Sequence, residues 1–162
     1  MLTPSVFVLA KCLEKTGSYV PGDLESRICV QKRIYLLQAL GLDLKYGFDW
    51  DLYGPYSSDL AKDAACYNEL MSEVDSRVKD IKITAKASSV FEKANELMAL
   101  PNNYDQLTSW LELLASIHFL SESRTAGDLT AAGELLRRKP KFQDQQEIIN
   151  AAEERLQAVG LL

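Results

Sequence analysis

The segment DLESRICVQKRIYLLQALGLDL, residues 23–44, constrains the fold more than any other. Ile28, Cys29, Ile34, Tyr35, Leu36, Leu37 and Leu40 cover most of a helical circumference. A helix that is apolar nearly all round is stable only when neighbouring elements enclose it. Asp23 is placed to cap its N-terminus and Gly41 to end it.

The rest of the chain supplies helices that can do the enclosing. In TPSVFVLAKCLEKTG, Thr3 or Ser5 can cap, Pro4 suits a first turn, and Val6, Leu9, Ala10 and Leu13 share a face. LAKDAACYNELM reads as a helix capped by Ser57 or Ser58, with Leu60, Ala64 and Tyr67 or Leu70 on one side. SSVFEKANELMAL follows from Ser88 or Ser89. The chain then becomes wholly helical: YDQLTSWLELLASIHFL with Leu107, Trp110, Leu111, Leu114 and Ile117 in register, TAGDLTAAGELLRRKP over 125–140, and FQDQQEIINAAEERLQAVGLL with Ile148, Ile149, Ala152, Leu156 and Val159. Pro140 separates the last two.

Two short strands are expected. Phe48, Trp50 and Leu52 alternate with Asp49, Asp51 and Tyr53, and in DIKITAKA Ile81 and Ile83 alternate with lysines. Gly54 and Pro55 break the first strand into a corner, with Ser57 beginning the next helix. The reading is mainly α (α+β): a winged-helix-like N-terminal lobe with one small antiparallel β-pair, strands near 47–53 and 80–85, then a helical lobe. The 162 residues suit a single domain, with sub-lobes 1–86 and 87–162.

Composition narrows the partners. A net charge of −5 disfavours a surface devoted to nucleic-acid phosphates. Residues 1–45 nevertheless carry +2 and the remainder −7, so a local basic patch stays open. No window approaches a membrane span, and the first residues lack the pattern of a signal peptide; a cytoplasmic protein is expected, with Cys12, Cys29 and Cys66 reduced.

From Gln31 to Asp63 the pattern becomes specific: Gln31, Lys32, Tyr35, Leu36, Tyr46, Phe48, Trp50, Tyr53, Gly54, Pro55, Tyr56, Ser57 and Leu60. It resembles the YwgA-like group of bacterial and archaeal proteins, and Lys139, Pro140 and Phe142 resemble the Lys-Pro-x-Phe element before that group's last helix. A more distant likeness is to Panacea-type antitoxin domains, which share the helix and the Gly-Pro corner; Arg33 stands here where an apolar residue is commoner. The resemblance implies a fold, and for the antitoxin-like branch the neutralisation of a protein partner.

Chemistry-bearing motifs are sparse. The one histidine, His118, has no Cys or carboxylate at ligand spacing and reads as structural; neither a metal nor a cofactor is expected. No phosphate-cradling glycine loop or nucleophile elbow occurs. Asp49 and Asp51 share a strand face that reads as solvated in preference to holding a divalent ion or a basic partner, and with the aromatic edge of Tyr53 and Tyr56 they make up the candidate interaction surface. Basic candidates for phosphate contact are Arg27, Lys32 and Arg33 on the second helix and Arg137, Arg138, Lys139 and Lys141 before the last. Against that use, Gln31 and Lys32 on an enclosed helix can instead snorkel or satisfy the Gly-Pro corner, and helix C-terminal charge accounts for Arg137, Arg138 and Lys139. The function expected is a non-enzymatic regulatory or protein-interaction module with an unidentified protein partner; the alternative is a winged-helix DNA-binding regulator.

Overall fold

The computed structural model describes residues 1–17, 19–123 and 130–162. Among these it is mainly helical with one small antiparallel two-stranded sheet. The helices are α1 (Pro4–Thr16), α2 (Leu24–Ala39), α3 (Ser58–Glu69), α4 (Met71–Val78), α5 (Ala85–Met98), α6 (Leu107–Ser123), α7 (Ala131–Arg138) and α8 (Gln146–Ala158). A single 3-10 turn, Pro140–Phe142, lies between α7 and α8.

Helix α2 is the enclosed element that its sequence requires: ten consecutive residues from Ile28 to Leu37 are buried. Asp23 caps it by accepting from the Ser26 N–H at 2.8 Å. Its principal neighbour is α6, more apolar and as deeply enclosed, with Trp110, Leu111, Leu113, Leu114 and Ile117 fully buried. Ile149, Ala152 and Leu156 of α8 close the far side of α6, and α1 and α5 complete the cover of α2. One contiguous apolar cluster runs from Val6 to Leu156. Burying a side chain of the Leu or Ile class contributes about 1.5–3 kcal/mol, so this cluster carries the fold.

Three expectations need correction. The second strand is Gly54–Tyr56, not residues 80–85: β1 (Asp49–Asp51) pairs with β2 (Gly54–Tyr56) in the register Asp49↔Tyr56, Trp50↔Pro55, Asp51↔Gly54. The Gly-Pro corner is therefore half of a hairpin, tolerated because both strands of a two-stranded sheet are edges, where a proline removes no essential ladder bond. The segment around Ile81 and Ile83 runs into α5 without pairing, and Thr84 caps that helix by accepting from the Ala87 N–H at 3.1 Å, leaving Ser88 and Ser89 inside it. Finally, the helix beginning at Pro4 carries no side-chain cap bond, although Pro4 fills its first position as expected. Residues 125–129 of the expected TAGDLTAAGELLRRKP helix lie outside the described residues; α7 covers its second half.

Candidate functional site

The hairpin is tied to the helical body through its backbone. Gln31 of α2 holds Ser57 at both ends, accepting from its N–H at 2.8 Å and donating to its carbonyl at 2.9 Å. Ser57 in turn caps α3 by accepting from the Leu60 N–H. One turn of α2 thus fixes where the strand stops and the next helix starts. Beside it, Lys32 Nζ donates to the Pro55 carbonyl at 2.7 Å. From the other side Lys139 Nζ donates to the Leu52 carbonyl at 2.6 Å.

These lysines are not the surface groups that phosphate binding requires. Lys32 is 1% exposed, Arg33 7% and Lys139 7%. Such burial keeps Arg33 and Lys139 from a phosphate backbone, and Lys32 directs its ammonium to the Pro55 carbonyl. Glu112 of α6, itself 1% exposed, is the counter-ion, with Oε1 on Lys139 Nζ at 2.6 Å and Oε2 on Lys141 Nζ at 2.7 Å. Lys32 makes no ion pair among the described residues and keeps only the Pro55 carbonyl as acceptor. Burial pushes its ammonium down to about 8; Glu112, and more weakly Asp51 and Cys29, oppose the shift, while Lys139 adds to it.

Of the remaining basic candidates, Arg137, Arg138 and Lys141 are on the surface but engaged. Arg137 and Arg138 both pair with Glu134, and Arg138 also lies 5.0 Å over the Trp50 ring. This ring is packed from beneath by Phe119. Arg27 is exposed and has no hydrogen-bond or ion-pair partner among the described residues.

Gly54 explains how closely the hairpin sits. It adopts φ +90°, and a Cβ there would stand 2.4 Å from Ser116 Oγ of α6. Backbone and helix are in direct contact, which only glycine permits at this angle. His118, two residues further along α6, is buried against Tyr35, whose hydroxyl lies 2.7 Å from Nδ1; burial lowers the affinity of the ring for a proton. The burial fits the apolar sequence context of this histidine.

On its other side the hairpin borders a cleft of about 580 Å³ between α2, the hairpin and α3. Tyr53 and Tyr56, the expected aromatic edge, line it together with Asp51, Arg27 and Lys32. Asp49 is exposed on the same strand but outside the cleft. Three large apolar side chains on its rim face solvent: Leu52 at the hairpin tip (73% exposed), Leu24 (49%) and Tyr56 (38%). The size and the mostly apolar lining with a few polar groups are those of a ligand site. Tyr19 Oη and Asn68 Oδ1, both buried and without a hydrogen-bond partner, belong to the same wall. No group of three or more metal-ligating side chains occurs among the described residues, and Asp49 and Asp51 do not form one.

Sequence reasoning passed over Glu112, Leu52, Leu24, Tyr19 and Asn68. Glu112 did leave a signal, as the lone acid in the apolar run WLELLASI. The others left none, because their roles arise from distant elements meeting. Comparison with family models, with curated proteins and with solved structures finds no match. Among the described residues no helix is long and apolar enough to cross a membrane.

Proposed function

We propose that this chain is a protein-interaction module, acting by binding rather than by catalysis, whose cleft between α2, the hairpin and α3 docks an extended segment of a partner protein. The observation that carries this reading is the meeting of three solvent-facing apolar side chains, Leu24, Leu52 and Tyr56, on the rim of one cleft lined by apolar and aromatic groups. Exposed apolar surface gathered at a concavity marks a recognition site, whereas single exposed residues do not. The likeness of the corner to toxin-neutralising domains points the same way. The burial of Arg33 and Lys139, neither of which lines the cleft, weighs against the DNA-binding alternative, since these cations are unavailable to a phosphate backbone.

Selection of a displayed random peptide library on the intact protein tests the reading, with a Leu52→Asp/Tyr56→Ala variant used for counter-selection. Peptides enriched on the wild type and lost on the variant support it. Failure to enrich any peptide dependent on the rim overturns it, and retention of duplex DNA at moderate salt by both proteins moves the argument to the regulator.

A further inference from the structure

Three polar groups in the wall of this cleft have hydrogen-bonding capacity that the described residues leave unused. The Lys32 ammonium has three donors and one acceptor partner, the Pro55 carbonyl. Tyr19 Oη and Asn68 Oδ1 are buried and unpartnered. A buried polar atom without a partner costs free energy, and native structures carry few of them. Two of the four unpartnered buried side-chain atoms among the described residues fall in this one wall.

The charges there do not balance either. Both oxygens of Glu112 are taken by Lys139 and Lys141, so the one carboxylate buried nearby among the described residues is already committed. Asp51 is exposed and accepts from the Leu52 N–H. Arg27, one and a half turns before Lys32 on α2, brings a second cation to the same cleft without a partner of its own. The groups facing Lys32 are Glu112 from α6, Lys139 from beyond α7, Asp51 from the hairpin and Cys29 from α2, and none of them pairs with it directly.

We infer that the docked segment is acidic: an Asp or Glu side chain of the partner enters the inner end of the cleft and takes Lys32 and Arg27 as counter-ions, while neighbouring apolar side chains cover Leu24, Leu52 and Tyr56. This deepens the docking reading and rests on it. The carboxylate supplies the acceptors that Lys32 lacks, and the peptide backbone beside it offers an N–H to Asn68 Oδ1 and a carbonyl to the Tyr19 hydroxyl. In so enclosed a setting the attraction is weakly screened.

The test uses synthetic versions of the selected peptides, amidated at the C-terminus so that side chains hold the only carboxylates. Replacing the anchoring acid by its amide weakens binding about tenfold or more in calorimetric titration. Lys32→Met and Arg27→Gln each shrink this difference between acid and amide. Binding near pH 8, measured in buffers of different ionisation enthalpy, shows proton uptake, because an anion beside Lys32 favours its charged form. Should Lys32→Met fail to fold, Arg27→Gln and proton uptake decide. Selected peptides that lack acids, equal affinity of acid and amide, or binding without proton uptake would overturn the acidic anchor and leave the docking cleft standing. Absence of any rim-dependent peptide overturns both.

Discussion

The inner and outer sides of the hairpin are built on opposite rules. Inward, Pro55 and Leu52 give their carbonyls to buried lysines, Gly54 lies against Ser116, and Glu112 neutralises the lysine pair beyond. Outward, Leu52, Tyr53 and Tyr56 border open space, and the described residues leave most of the Leu52 side chain uncovered. One residue shows both rules at once: the Leu52 backbone is locked and its side chain is free. A tip held rigidly while presenting apolar surface loses little conformational entropy when a partner covers it, which is the condition for tight binding over a small area. The comparison predicts that inner-side changes affect stability and outer-side changes affect binding alone.

The largest effect is expected from Glu112→Gln. It leaves Lys139 buried without a counter-ion and should cost about 3–5 kcal/mol in urea unfolding. Gly54→Ala comes next, at about 1–3 kcal/mol, combining a strained φ with the Ser116 contact. Adding Ser116→Ala removes the overlapping hydroxyl and should recover part of that loss; no recovery would mean that the backbone angle alone sets the cost.

A pH series sharpens the same contrast. The Lys32 pKa is depressed in the folded state from 10.5 to about 8, so between these values the unfolded chain binds the extra proton. Stability from this group is therefore present above pH 10.5 and is lost as pH falls through about 8. Burial also pushes the Cys12 thiol up to about 12 and raises the Tyr35, Tyr46 and Tyr67 hydroxyls, and these groups act in the opposite direction in alkali. The difference between wild type and Lys32→Met isolates the lysine and should rise across this window by roughly 2–3 kcal/mol. A flat difference would place the Lys32 amine in water.

The smallest stability effects belong to the outer side. Leu52→Ala, Tyr53→Ala and Arg27→Gln should each stay within about 0.5 kcal/mol of wild type, since they remove exposed or half-exposed side chains. A thermal shift comparable to that of Gly54→Ala in any of them would erase the distinction between the two sides.

The elements read well from sequence where one local signal suffices. Asp23 and Ser57 cap helices as their positions suggest, α2 and α6 are enclosed, and His118 is buried against Tyr35. Signals went astray where a local rule met a tertiary one. Gly54 and Pro55 read as strand breakers, yet β2 is built from them because a hairpin edge tolerates proline and Ser116 leaves no room for a Cβ. Ile81 and Ile83 have the alternation of a strand but no neighbour to pair with. The assignment of Lys139 to the helix dipole was a sound local account of a residue whose actual partners, Glu112 and Leu52, lie 27 and 87 positions away. The cleft was half legible: Tyr53 and Tyr56 were visible in the motif, while Tyr19 and Asn68 reach it from α1's exit and from α3.

The bond between Lys139 and the Leu52 carbonyl also has a consequence for biosynthesis. A ribosome delivers the hairpin 87 residues before the lysine that fastens it, an interval on the order of 4–17 s at roughly 5–20 residues per second. Glu112 emerges within that interval, and until Lys139 follows, the nascent α6 must keep this carboxylate hydrated instead of seating it beside α2. Translation of the segment around Lys139 therefore sets when the hairpin is fastened: earlier helices can gather, but the Leu52 carbonyl gains its lysine only when that residue leaves the exit tunnel.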